Sequence, residues 1–450
     1  MDAIATQTLE PSVVDASRHA PEQLAPRAVK VEDTGLSDLL IADLIIKHLY
    51  EGGVLDLLQL SEHLALAGSL LETLLAFLRQ EGHVEVRGRS PDSAVLRYAL
   101  TDRGRASAAE AMVRDGYIGP APVPLDDYIR IVEAQSVKHC IVTREQVHAA
   151  FADTVIQASL LDQLGPALHS GKAMFIYGAA GTGKSFISRR LSRLLGDSIL
   201  IPHAIAVNNN VIQYFDPSYH HPVKQAVAPG SVRLNQGHDP RYTLCERPVV
   251  ITGGELTLDM LELQFDGVTR RYRAPLQLLA NNGMMVIDDL GRQRVAPIDL
   301  FNRWIVPLEE KQDFLALQSG QHIAVPFDVA LAFSTNLNPL ELADEAFLRR
   351  IGYKIRFDTL DTGQYTAIWQ QLCQVRGIDY DANRLKFLLN ELYLKEKRPL
   401  LPCHPRDLID LAQDFGRYHG QSGISTEALQ WAWESYFVKL TEDGISAHHE

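Results

Sequence analysis

From Leu36 the apolar residues recur at helical spacing: "LSDLLIADLIIKHLY" keeps its leucines and isoleucines on one side of a 3.6-residue repeat and stops at Gly52-Gly53. Two shorter helical patterns follow, "LDLLQLSEHL" and "SLLETLLAFLRQEG". The period then drops to two over "HVEVRG" and "LRYALT", which predicts a hairpin closed around Arg89-Ser90-Pro91-Asp92. Residues 1–35, rich in Ala, Pro, Val and Thr, carry neither period and are expected to be a disordered tail. The Pro-rich "IGPAPVPLDD" (118–127) marks a domain boundary, and helical patterns then run from Tyr128 to Leu168. After that, short apolar runs alternate with longer helical ones, the pattern of a parallel α/β sheet. Beyond Thr359 the chain reads as helical. The expected division is a tail 1–35, a helix-and-hairpin domain 36–118, a Pro-rich linker with leading helices 119–170, an α/β domain 171–358, a helical region 359–440 and a tail 441–450.

Composition narrows the class. At 450 residues the chain is too long for one ordinary core, and 46% hydrophobic with 22% charged residues is the balance of a globular protein. The longest apolar stretch, Leu39 to Leu49, is broken by Asp43 and Lys47, so no membrane span is expected. "MDAIATQTLE" lacks the basic-then-apolar order of a secretory signal, and the four cysteines show no metal-type spacing. Reduced thiols and a cytoplasmic location are the expectation. A net charge of -13 argues against nonspecific nucleic-acid binding by the whole chain.

The strongest chemical signal is "AMFIYGAAGTGKSFISRRLSRLL". An apolar strand, Ala173 to Tyr177, runs into Gly178-Ala179-Ala180-Gly181-Thr182-Gly183-Lys184-Ser185, which fits G-x-x-x-x-G-K-[ST], and a helix follows at once. The glycines let backbone N–H groups converge on phosphate oxygens, and the helix N-terminus adds its positive dipole. Lys184 is placed to reach the β and γ phosphates and the Ser185 hydroxyl to ligate magnesium. A second apolar strand, "MMVIDDLGR", surfaces at Asp288 and Asp289: the first fits a magnesium ligand and the second the base that polarises the attacking water. A third, "DVALAFSTNLNP", ends at Ser334-Thr335-Asn336, where Asn336 can hold a water against the γ-phosphate. Arg349 and Arg350 end a short helix in "LADEAFLRRIGYKI", and Arg406 lies in the first turn of "CHPRDLIDLAQDFG", where another charge is expected to hold it.

In this order the motifs resemble the AAA+ ATPase family over roughly residues 150 to 440. The resemblance implies an α/β P-loop NTPase fold, a five-stranded parallel sheet flanked by helices with a C-terminal helical lid, binding ATP and Mg2+. Gly178 to Ser185 match Walker A, Met284 to Asp289 Walker B, Asn336 the sensor-1 position and Arg406 sensor 2. Arg350, or Arg349 beside it, matches the arginine finger that reaches a neighbouring subunit's nucleotide, with Arg350 favoured because Ile351 follows it. An oligomeric ring, commonly a hexamer, is implied in the same way. The helix before "DFLALQSGQHIAVPFD" and the hairpin read there are similar to MoxR-type and magnesium-chelatase-like members, and "GGELTLDMLEL" is read as an inserted helix. "VIDDLG" also resembles helper ATPases of DNA transposition and helicase loading.

The 36–118 pattern of three helices and a hairpin resembles a winged helix. Its third helix offers Ser69, Glu72 and Thr73 with only Arg79 basic, which favours a protein client over DNA. Nucleic acid remains the alternative through Arg87, Arg89, Arg97, Arg103 and Arg105, as does a slow nucleotide switch. His220, His221, His238 and Cys245 fit no zinc spacing, and Trp304 is read as core or interface. Asp289 stands where the family usually has glutamate. One methylene less puts its carboxylate about 1.5 Å further from the water for a similar backbone, so slow turnover is expected.

Overall fold

The computed structural model describes residues 20–89, 95–223, 237–421 and 423–437. They form two compact units. The first draws on Met1–Ile141, Leu195–Ile287 and Arg292–Leu331, the second on Val142–Leu194, Asp288–Gly291 and Ala332–Glu450.

In the first unit, the helix Asp38–Gly52 starts where the Ser37 side chain accepts from Leu40 N–H, and it buries Ile41, Leu44, Ile45 and Leu49. The helix Leu57–Leu64 is entered through a reciprocal cap between Asp56 and Gln59, and Gly68–Gln80 buries Leu70, Leu71, Leu74, Leu75 and Leu78. Each of these fully buried leucines contributes about 1.5–3 kcal/mol. They pack against an antiparallel sheet in which Leu96–Leu100 lies between Val54–Asp56 and Val84–Arg89. The expected hairpin is therefore present, with its loop at 90–94 outside the described residues.

Two expectations are corrected here, on the N-terminal segment and on the inserted helix. The 1–35 segment is ordered from Ala20, with a short helix Pro21–Leu24 and with Ala25 and Ala28 buried; residues 1–19 lie outside the described set. The reason is a buried ion pair. Arg241, 3% exposed, is bidentate with Asp239 and donates to the carbonyls of Thr34 and Pro122. A buried guanidinium requires acceptors, and the N-terminal segment supplies one of them. In the 119–170 stretch the expected leading helices are present as Leu125–Ala134, Arg144–Ala150 and Ala158–His169, and before them Val123–Pro124 pairs in parallel with Ala204–Val207 at the edge of a second five-stranded sheet. The helix expected in "GGELTLDMLEL" is only a 3-10 turn, Leu258–Leu261.

The hairpin Gln312–Ala316 with His322–Pro326 forms as expected, turning through Leu317–Gln321. Its Asp313 and Leu315 are buried and Phe314 is exposed. Trp304 is fully buried. The tail 441–450 lies outside the described residues.

The parallel sheet carries the site. Its strands are β1 (Met174–Gly178), β2 (Val249–Thr252), β3 (Gly283–Ile287), β4 (Val329–Thr335) and β5 (Tyr353–Phe357), in the order β2-β3-β4-β1-β5. β2 pairs with β3, and β4 and β5 pair with β1, all in parallel, and β3 and β4 are buried along their whole length. That burial explains why they read as unbroken apolar runs rather than alternating ones.

In the second unit, helix α1 (Lys184–Leu191) follows β1, and a short helix α2 (Glu345–Leu348) precedes β5. The C-terminal region is helical: Thr362–Val375, α3 (Cys403–Tyr418) and Thr426–Tyr436 pack around Trp369, Leu388, Leu408, Leu429 and Trp433. Among the described residues no single helix is long and apolar enough to cross a membrane.

Candidate functional site

The residues of Gly178 to Ser185 leave the end of β1 and enter α1 without interruption. Gly183 caps α1 with φ +88, a conformation that a side chain would strain, and Lys184 is the first helical residue. The Lys184 side chain turns back into the loop. Its Nζ donates to the carbonyls of Gly178 (2.9 Å) and Ala179 (2.8 Å) and to Asn336 Oδ1 (2.7 Å). The residue is 5% exposed, and burial pushes its pKa down while Asp289 and Asp288 pull it back up. The ammonium is thus held at the centre of the loop by contacts that a phosphate can share.

The acids come from the end of β3. Asp288 Oδ1 accepts from the Ser185 hydroxyl at 2.9 Å. A hydroxyl and a carboxylate at hydrogen-bond distance form a hard-oxygen pair, which suits magnesium: that ion takes one or two carboxylates and completes its shell with water and phosphate oxygens. Among the described residues no group of three or more His, Cys, Asp or Glu could hold a metal by itself. His220 in particular is buried, bonded to Asp216 N–H and Leu279 C=O.

Asp289 leaves the strand conformation with φ +49, uncommon for a residue with a Cβ although aspartate tolerates it better than most. Its Oδ1 accepts from Asn336 Nδ2 at 3.1 Å. Asn336 therefore bridges the loop lysine and the second acid, one end of its amide to each. Asn336, Lys184, Asp289, Ser185 and Asp288, drawn from three separate stretches of chain, form one hydrogen-bonded group.

Arg349 is exposed, and the guanidinium of Arg350 donates to the Ala346 carbonyl of its own helix. Arg406 is exposed and pairs with Asp407 at 2.9 Å, which raises its pKa and supplies the partner charge expected for it. The helix α3 that carries it does approach the loop: a Cβ built on Gly181 would lie 2.5 Å from Cys403 Sγ.

Two residues near the site carried no assigned role in the sequence. Cys403 stands three residues before Arg406, one helical turn away, a spacing that places both on the same helix face. Thr335 reads in the sequence only as part of the polar end of its strand. A cavity of about 410 Å3 between the helices Arg144–Ala150 and Ala158–His169 contains none of the site residues.

A parallel sheet whose first strand runs through a G-x-x-x-x-G-K-S loop into a helix is an α/β P-loop NTPase fold. A family model described as a domain of unknown function (DUF8689) matches residues 361–435, within the C-terminal helical region. No curated protein matches the chain.

Among solved structures, NtrX from Brucella abortus is similar at 14% identity and a TM-score of 0.39, over 66% of this chain and 58% of that one. A second NtrX structure, in complex with ADP, has the same identity and TM-score and covers 75% of this chain and 68% of that one. The Thermotoga maritima RuvB Holliday junction branch migration motor is similar at 12% identity and a TM-score of 0.34, over 72% and 73%.

Proposed function

We propose that the protein is an AAA+ ATPase that binds ATP with magnesium and hydrolyses it, as a ring of identical subunits, to remodel or assemble a protein client. The observation that carries this reading is the bridge Lys184–Asn336–Asp289 beside the pair Ser185–Asp288. In it a phosphate-binding lysine, a water-orienting amide and a basic carboxylate are connected, next to two oxygens suited to magnesium.

The loop N–H groups and Lys184 bind the β and γ phosphates. Asn336 orients the attacking water, and Asp289 accepts its proton as the oxygen attacks the γ-phosphorus and the bond from that phosphorus to the β–γ bridging oxygen breaks, releasing ADP. Ser185 and Asp288 would hold a magnesium ion, which would neutralise charge on the phosphates. Arg349 or Arg350 is supplied to the next subunit's nucleotide. The exposure of Arg349 suits it to reach outward, whereas Arg350 must first leave Ala346. Arg406 acts from the helical lid.

The winged-helix reading of residues 36–118 is supported by the helix and strand order there, and a protein client by exposed Leu39, Tyr50, Leu58 and Phe77. Arginines near the wing are offset by acids, Arg87 by Glu85 at 2.5 Å and Arg103 by Glu81 at 3.9 Å, which weakens the case for phosphate contact.

The test is magnesium-dependent phosphate release by the full chain. Asp289→Asn is expected to abolish turnover while ATP affinity stays within about threefold. Unchanged turnover in that variant would falsify the role of Asp289.

A further inference from the structure

We propose that Thr335 is a positioning residue for hydrolysis: its single hydroxyl holds both the turn that carries Asp289 and the turn that carries Asn336. The inference rests on the reading of Asp289 as the base and adds to it the device that aims the base.

Aspartate has a short reach, so where its carboxylate points depends on its backbone. That backbone is left-handed at Asp289, and Gly291 two residues later is also in positive φ, at +104. A conformation of this kind persists only when the surroundings hold it. Leu290, between the two, is 1% exposed and is fixed on both sides. Its N–H donates to Ser334 C=O at 2.8 Å, and its C=O accepts from Thr335 Oγ1 at 2.7 Å.

The first of these bonds is backbone to backbone and survives any substitution at 334. The second depends on one side chain. Thr335 is fully buried, and the same oxygen accepts from Leu337 N–H at 3.1 Å. That bond closes a turn around Asn336, the residue in between. One proton donated and one lone pair used therefore couple the two peptide segments whose side chains meet at 3.1 Å, Asn336 Nδ2 to Asp289 Oδ1. The Thr335 hydroxyl bonds to Leu290 and Leu337, in neither the loop nor its lysine, so its effect should fall on the reaction step and not on nucleotide binding.

The test compares Thr335→Val, which keeps the shape and removes both bonds, with Thr335→Ser, which keeps the hydroxyl. Both are made in the full chain and assayed by steady-state phosphate release with MgATP. Val is expected to lower kcat roughly ten- to a hundredfold, the scale of a misaimed catalytic group. KM should stay within about threefold, because uniform binding is untouched. Ser is expected to turn over within about threefold of the unaltered protein, its hydroxyl able to make both bonds.

Three results would overturn the proposal: Val with near-normal kcat, Ser as slow as Asp289→Asn, or a Val defect confined to KM. If Val does not fold, Thr335→Ala, which also lacks the hydroxyl, takes its place, and near-normal kcat in it overturns the proposal. Asp289→Asn is assayed in parallel. If it still hydrolyses ATP, the underlying reading has failed; if it is inactive while Val is normal, only the role of Thr335 has failed.

Discussion

Substituting alanine for Gly181 tests whether the first turn of α3 rests on the phosphate loop. Two separate costs can be worked out. Gly181 has φ +80, and placing a side chain in left-handed backbone costs about 1–2 kcal/mol. The new Cβ would also lie 2.5 Å from Cys403 Sγ, well inside contact distance, while its next neighbours, Leu401 Cδ1 at 3.5 Å and Cys403 Cβ at 3.8 Å, are ordinary contacts. Overlap of this kind in a packed interior costs about 1–3 kcal/mol.

If both costs are borne by the loop in its phosphate-binding form, ATP affinity should fall by roughly thirtyfold or more, at tenfold per 1.4 kcal/mol. The second variant separates the terms. Gly181→Ala combined with Cys403→Ala removes the overlap and leaves only the backbone cost, so affinity should recover by about fivefold or more relative to Gly181→Ala alone. Cys403→Ala by itself should bind ATP within about threefold of the unaltered protein. Titration with a fluorescent ATP analogue at fixed magnesium measures all four proteins. If the double variant binds no better than Gly181→Ala, the thiol does not press on the loop and the reasoning is wrong.

Two further expectations concern other parts of the molecule. Burial holds the pKa of His220 and His404 down to about 4, against about 6.5 for an unfolded histidine. Both therefore stabilise the fold fully above pH 6.5 and lose that contribution as pH falls toward 4, by about 2 kcal/mol each between pH 7.5 and 5. Urea midpoints across that range should fall less steeply in His220→Asn than in the unaltered chain, and an equal slope would discard the assignment. For the arginines, subunits lacking the side chain at Arg349 or Arg350 should regain hydrolysis when mixed with Asp289→Asn subunits, each supplying what the other lacks; no gain on mixing would mean that neither acts in trans.

Much of the site was legible because it is local. Gly178 to Ser185 are contiguous, so one strand, one turn and one helix build the cradle, and the residue types that permit it sit side by side. The acids and Asn336 were legible for a similar reason, since parallel strands in one sheet present their carboxyl ends along the same edge. The 20–35 segment was not, because its order depends on a buried Arg241 some two hundred residues away. The inserted helix failed because "GGELTLDMLEL" has helical spacing but is held as a single 3-10 turn between strands.

The sequence by itself determined that a Gly-rich loop, Gly178 to Ser185, joins a buried strand to a helix, and that two aspartates and an asparagine stand at the ends of two further apolar strands. Only the tertiary structure decided how they meet: that Asn336 bridges Lys184 to Asp289, that Asp289 turns left-handed, that the Thr335 hydroxyl ties the two turns together, and that Cys403 covers Gly181. Strand and loop identity follow from short-range periodicity and glycine content. The aim of a side chain at a strand end follows from the turn beyond it, and that turn takes its shape from hydrogen bonds to chain about forty-five residues distant.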